Sequence, residues 1–438
     1  MKPILPSFAE ALGVWARIGC LSFGGPAAQI AMLQREVVDR KHWVSDARFL
    51  HALNFCMLLP GPEAMQLATY LGWLMHGVRG GVAAGLLFLL PGVLVMLALS
   101  AIYAALGSVP LVAALFFGLK CAVLVVVVEA LLRVARRALR GVLPWALAVA
   151  AFLALFVFGV PFPIVVLGAG AIGFLAPDAF AKGGHGSAGA GHASALDAVL
   201  AAEPGRIAAM AGAARRAGLL ALVLWLWPVA MLMSTDGVFA DIGWFFSKMA
   251  VVTFGGAYAV LAYVVQEAVE HYGWLTAPEM LAGLGLAETT PGPLILVLQF
   301  VGFLAGLREG GGWAGAVAGA GLTLWVTFLP CFAWIFLGAP YVEQLHGVER
   351  LRGALAGVTA AVVGVIANLA LWFGLRVLFT RMVDGPFALH WPDPASLHWQ
   401  ALLLSALAAF AAFGLRLGVV SLLALASAAG LVLTFVAP

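Results

Sequence analysis

Apolar residues fall along this chain in long unbroken blocks. Gly80–Ala105, Leu111–Leu132, Leu143–Val160, Phe162–Ala176, Leu219–Met233, Trp313–Leu337 and Leu355–Leu378 are the clearest, with a last block from Leu402 to the C-terminus. A run of about 20 apolar residues is long enough to cross a bilayer as a helix. The last block is long enough for two crossings, with a break near Arg416. The pattern predicts an all-α polytopic membrane protein with about 10–13 transmembrane segments, some of them short or re-entrant.

Composition strengthens this. Of 438 residues, 64% are hydrophobic and 10% charged, whereas a soluble domain carries about 25% charge. There is too little polar surface to cover a water-soluble particle of this size. The start, MKPILPSFAEALGVWARIGC, contains Glu10 and Arg17 and lacks the apolar core of a signal peptide, so the first helix is expected to be retained. Cys20, Cys56, Cys121 and Cys331 lie in apolar segments without metal-like spacing and read as small buried hydrophobes. No metal site and no cofactor is expected, and the net charge of +3 says little about partners.

One phrase occurs twice. SFGGPAAQIAMLQREVVDRKHW begins at Ser22, and TFGGAYAVLAYVVQEAVEHYGW at Thr253, an offset of 231 residues. The offset brings Arg17 onto Lys248, Phe23-Gly24-Gly25 onto Phe254-Gly255-Gly256, Glu36 onto Glu267 and Trp43 onto Trp274. Further along it brings Pro60-Gly61-Pro62 onto Pro291-Gly292-Pro293. With small shifts, GVAAG from Gly81 matches GAVAG from Gly315, and the FLLP ending at Pro91 matches the TFLP ending at Pro330. This is an internal duplication: residues 1–180 form an N-terminal transport repeat and 235–438 a C-terminal one. Residues 181–234 are a linker plus one extra helix from about Leu219. The linker is rich in Gly and Ala and is expected to be a flexible, solvated connection, with His185 and His192 not metal ligands.

The copies differ in charge. Arg35, Arg40, Lys41 and Arg48 stand in the first, while the matching window, Gln266 to Glu279, has no Lys or Arg and three acids, Glu267, Glu270 and Glu279. Basic residues concentrate in cytoplasmic loops, so the repeats are expected to be inverted in the membrane. Arg133–Arg140 and the linker, with Arg206, Arg215 and Arg216, agree, whereas Arg376 and Arg381 do not. A parallel duplication stays open.

Inverted-repeat transporters place their sites near the midplane, at broken helices. The Phe-Gly-Gly and Pro-Gly-Pro elements read as such breaks. A half-helix that starts at a break directs free amides and its dipole at an anion. The alternative is that the glycines only allow close helix packing. Arg17 and Lys248 would suit a divalent oxyanion, or snorkel to the interface. Ser22, Thr253, Thr289 and Thr290 can donate hydrogen bonds to it, as can Gln66 and Gln299. Glu63 and Glu288 stand beside the two Pro-Gly-Pro elements in apolar surroundings, as proton carriers or as partners of Arg17 and Lys248. Glu129 and Asn368 are weaker candidates.

These residues together resemble the chromate ion transporter family in its long, two-domain form. The resemblance rests on FGGP at Phe23, Glu36, Trp43, LPGPEAMQLATYLGW from Leu59, GGVAAGLLFLLPG from Gly80, TFGGAYAVL from Thr253 and TTPGP from Thr289. It implies a multi-pass protein of the bacterial inner membrane that exports chromate, driven by the proton-motive force, and confers chromate resistance. Sulfate, a similar tetrahedral dianion, is implied as competitor or substrate. The partners are then an oxyanion, protons and the bilayer, not nucleic acid, with oligomeric state, a homodimer included, left open. A channel or a carrier of another small anion remains the alternative. An enzyme is not expected, since the nine histidines are scattered and no P-loop is present.

Overall fold

The computed structural model describes residues 5–107, 109–183, 194–254, 257–344, 349–384 and 390–436. The chain is an all-α polytopic membrane protein. The first half runs through α1 (Phe8–Leu21), α2 (Gly25–Gln34), α3 (Asp46–Cys56), α4 (Glu63–Leu106), α5 (Pro110–Ala138), α6 (Val142–Phe156) and α7 (Phe162–Leu175). Two linker helices follow, α8 (Ala195–Ala202) and α9 (Arg206–Leu232). The second half has α10 (Val238–Val252), α11 (Ala257–Val265), α12 (Ala277–Thr289), α13 (Val297–Glu309), α14 (Trp313–Gly338), α15 (Glu349–Leu378), α16 (Trp399–Ala409) and α17 (Val419–Val436). Between α15 and α16, β1 (Met382–Asp384) pairs antiparallel with β2 (His390–Pro392).

Among the described residues, five helices are long and apolar enough to cross a membrane: α4, α5, α9, α14 with the turn after it, and α15. The 14 or 15 residues of α7 and α6 reach only about 22 Å at 1.5 Å per residue, short of a bilayer core of about 30 Å. Large apolar side chains stay outside, as lipid demands: on α9, Leu219, Leu220, Val223, Leu226 and Trp227 are all exposed.

Local structure recurs at the sequence offset of 231. A π-helical turn spans Arg35–Arg40 and another Gln266–His271. Each is followed by a residue in the left-handed region, His42 (φ 52°) and Gly273 (φ 66°), and then by buried Trp43 and Trp274. Ser45 then caps α3, while Thr276 and Glu279 form a capping box at the start of α12. The break expected near Arg416 is there, with Arg416 itself at φ 55°.

Contacts divide the chain into two compact units. Unit 1 comprises residues 1–97, 185–256 and 290–348, and unit 2 comprises 98–184, 257–289 and 349–438. In unit 1, the two arms of α4 separate at His76 and Gly77, and α13 folds back on α14. Both hairpins close through small residues: a Cβ on Gly72 would meet Gly80 O, and one on Gly302 would meet Gly319 O and Thr323 Oγ1. In unit 2, α6 and α7 of the first half pack on α15 of the second, where Gly364 lies on Ala148 and Gly357 on Ala169. Reciprocally, α17 packs on α5, Gly430 against Gly118.

From Ser194 on, the linker is helical rather than a flexible connection. Ser194 accepts a bond from the Asp197 amide and starts α8, whose Leu196 and Val199 are buried. The amides of Ala195 and Leu196 bond to the carbonyls of His42 and Trp43, and Arg48 pairs with Asp197 at 2.5 Å. Two buried apolar side chains and a paired carboxylate hold this stretch against the α3 region, which Gly/Ala composition alone does not reveal. His185 and His192 lie outside the described residues. Of the two arginines that disagree with an inverted arrangement, Arg376 stacks on Trp372 and pairs with Glu270 at 3.6 Å, and Arg381 pairs with Asp393 at 3.7 Å.

Candidate transport site

Helices begin just beyond the breaks expected from sequence. Helix α2 starts at Gly25 behind Gly24 in the left-handed region, with no side-chain cap. Helix α4 starts at Glu63 directly after Pro62, and Pro293 leads into a 3-10 turn, Leu294–Leu296, and then α13. Gly61 (φ 123°) and Gly292 (φ 95°) occupy backbone that side chains rarely adopt, so each Pro-Gly-Pro needs its glycine. Gly255 and Gly256 lie outside the described residues.

Within unit 1 the breaks are bonded crosswise between the repeats. The Gly61 amide donates to Thr253 O at 3.0 Å, and the Gly292 amide to Ser22 O at 2.8 Å. Packing follows the same exchange. A Cβ on Gly61 would stand 2.8 Å from Cys331 Sγ, and one on Gly92, the counterpart of Cys331, would collide with Pro291 O. Each Pro-Gly-Pro thus rests on the other repeat, on the residue before Phe-Gly-Gly and on the helix that contains Pro91 or Pro330.

The polar side chains turn inward to backbone. Ser22 Oγ donates to Ile18 O at 2.6 Å, Thr253 Oγ1 to Met249 O at 2.5 Å and Thr289 Oγ1 to Leu286 O at 2.8 Å. Gln66 Nε2 donates to Pro60 O at 2.8 Å and Gln299 Nε2 to Val93 O at 3.1 Å. Both glutamines are buried, and Oε1 of each has no hydrogen-bond partner among the described residues. Thr290 is buried.

The other candidates stand on different elements. Arg17 and Lys248 stand on exposed faces of α1 and α10. Glu63 is half-buried at the start of α4 in unit 1. Glu288 is buried on α12 in unit 2, where Tyr258 of α11 donates its hydroxyl to Glu288 Oε1 at 2.5 Å. Glu129 pairs with Arg133 one turn on. The two breaks differ in cover: Pro60, Gly61 and Pro62 are half-buried and Phe23 is exposed, whereas Pro291, Gly292 and Pro293 are buried.

Two residues had no place in the sequence reading. Gln29 of α2 is buried and donates Nε2 to Gly292 O at 2.5 Å, tying the first repeat to the second Pro-Gly-Pro. Tyr258 is the other. Each is a single polar residue in an apolar helix, and the duplication marks only matched pairs, whereas their counterparts are Val260 and Ala27. Among the described residues no cluster of His, Cys, Asp and Glu could hold a metal ion.

Residues 9–174 and 240–432 match the family model described as "Chromate transporter". A chromate transport protein of Pseudomonas aeruginosa is 36% identical over 361 residues, covering 82% of this chain and 79% of its own. One from Cupriavidus metallidurans is 27% identical over 376 residues, covering 85% and 83%. An uncharacterized transporter of Methanocaldococcus jannaschii is 26% identical over 373 residues, covering 85% and 86%. No solved structure matches.

Proposed function

Since this chain belongs to the chromate transporter family, we propose that it is a secondary active transporter that exports chromate across the bacterial inner membrane, driven by the proton-motive force. The observation that carries the reading is the crosswise bonding of the breaks, Gly61 N to Thr253 O and Gly292 N to Ser22 O. Neither repeat can move its Pro-Gly-Pro without disturbing the other, which suits alternating access by one repeat rocking against the other. The repeats are taken as inverted, on the charge contrast between Arg35–Arg48 and Gln266–Glu279.

The oxyanion is held at the four breaks, Phe23-Gly24-Gly25, Pro60-Gly61-Pro62, Phe254-Gly255-Gly256 and Pro291-Gly292-Pro293. The uncapped start of α2 and the start of α4 after Pro62 offer main-chain amides. Arg17 and Lys248 draw the anion in by charge. Glu63 or Glu288 carries the coupled proton. Sulfate, of the same shape and charge as the chromate dianion, is the competitor to test.

Uptake of radiolabelled chromate into inverted vesicles tests this. Saturable uptake that requires an imposed proton gradient and falls on Glu63→Gln is the expected result. Uptake that is unchanged when the gradient is collapsed removes the coupling. No uptake above empty vesicles, from folded protein, removes chromate export.

A further inference from the structure

Four polar side chains stand at the breaks of unit 1, and in this conformation each presents a hydrogen-bond acceptor. They fall into two half-sites. In one, Thr253 O receives the Gly61 amide and Gln66 reaches back over the start of α4 to Pro60 O. In the other, Ser22 O receives the Gly292 amide, and Gln299 bonds to Val93 O, next to the Gly92 that packs on Pro291. Main-chain carbonyls have no hydrogen to give. The Ser22 and Thr253 hydroxyls must therefore be the donors to Ile18 O and Met249 O, leaving only lone pairs. The same reasoning fixes both amides: the NH2 groups face Pro60 O and Val93 O, and Oε1 of each is left buried without a donor. Buried acceptors of this kind are satisfied in native proteins by something.

A fully ionised dianion meets the lone pairs of Ser22, Thr253 and both glutamine Oε1 atoms badly, oxygen against oxygen, and finds donors in main-chain amides and in the second N–H of a glutamine NH2, but gives nothing to the buried acceptors. An anion with both bare oxygens and a hydroxyl satisfies amides and acceptors together. We propose that the two half-sites recognise a tetrahedral oxyanion in its hydrogen-bearing form, hydrogen chromate rather than the chromate dianion. This rests on the reading of the chain as a chromate carrier and narrows its substrate. It also gives a chemical basis for distinguishing chromate from sulfate. Chromate takes up a proton close to neutral pH, and sulfate does so only in strong acid. A site built to accept a hydrogen bond rejects an analogue that lacks the hydrogen far more strongly than a shape filter does.

The test is exchange of radiolabelled chromate in proteoliposomes of the full chain, with the same pH on both sides and no gradient, over a pH series through the protonation of chromate. The half-saturating total concentration is expected to rise about tenfold per pH unit once the dianion predominates, because only the protonated fraction binds. Phosphate, which keeps a hydrogen at neutral pH, is expected to inhibit better than sulfate. Gln66→Leu and Gln299→Leu are expected to bring the two inhibitors toward parity by about tenfold or more, whereas a role in folding alone lowers the rate at every pH and leaves that ratio unchanged. A half-saturation independent of pH, or sulfate inhibiting as well as phosphate, overturns the proposal and points to waters bridging the acceptors to a dianion. Binding to the purified protein over the same pH series separates the two claims. Binding that follows hydrogen chromate without any exchange supports this inference and refutes the carrier reading; no chromate binding at any pH refutes both.

Discussion

Gly61→Ala tests the crosswise seat of the first Pro-Gly-Pro. Gly61 has φ 123°, so a side chain there is strained whatever space surrounds it; such backbone costs about 1–3 kcal/mol. The methyl would also stand 2.8 Å from Cys331 Sγ and 2.9 Å from Gln66 Nε2, and forcing a methyl into a packed site costs about 1–3 kcal/mol more. If Pro-Gly-Pro moves to relieve the clash, the bond from Gly61 N to Thr253 O is lost. A destabilisation of about 2–6 kcal/mol follows from strain and crowding together. The comparison is Gly321→Ala in α14, where a Cβ meets nothing within 4 Å and helix propensity favours the substitution by about 1 kcal/mol. Adding Cys331→Ala to Gly61→Ala removes the sulfur but not the strain. The double-mutant cycle should therefore return a coupling of about 0.5–3 kcal/mol, with part of the loss remaining. Unfolding in mixed detergent micelles measures stability, and chromate uptake measures function. If Gly61→Ala matches Gly321→Ala in both, the seat does not constrain the break and the reasoning is refuted.

Gln29→Leu removes the buried bond to Gly292 O and leaves that carbonyl without this donor, a cost of about 1–3 kcal/mol; chromate uptake should fall, and Gln29→Glu, which brings a charge to the same place, should not restore it. For Asp197, burial pushes the carboxyl up, but bonds from Ser194, Ser45 and Arg48 and the Arg48 charge hold it below its usual value. A lowered folded pKa makes its stabilisation complete above the unfolded value of about 4 and lost as pH falls through the folded value. Hydrogen exchange in Ala195–Ala202, corrected for intrinsic rates, should thus be the same at pH 7 and pH 5 and rise only in stronger acid; release near pH 6 would contradict this. Tyr258→Phe removes the donor to Glu288 Oε1, so if Glu288 carries the proton, the pH profile of uptake should move while Gly321→Ala leaves it in place.

Much of the fold was legible because bilayer length constrains apolar runs. Leu111–Leu132, Phe162–Ala176 and Trp313–Leu337 lie within or nearly coincide with α5, α7 and α14. Breaks were legible too, since Gly and Pro mark them by covalent geometry. What could not be seen is which copy a break rests on. Self-similarity gives equivalent positions, and Gly61 and Gly292 look alike whether each bonds within its own repeat or across. The direction of polar groups was also hidden. Ser22, Thr253, Gln66 and Gln299 were expected to donate to a ligand, but a hydroxyl one turn above a helix carbonyl has a nearer acceptor. The α8 clasp left a signal, Ser194 followed three residues on by Asp197, that was diluted by the surrounding Gly and Ala.

The exchange of elements has a bearing on assembly. Here α6 and α7 lie on α15, α17 lies on α5, and each Pro-Gly-Pro sits on the opposite copy. Half a chain expressed alone would keep its helices but lose the surfaces that close them, whereas two halves made as separate polypeptides still possess every surface. A gene divided between the codons for residues 183 and 194 should therefore complement in trans, the two pieces meeting through the surfaces on which the single chain closes.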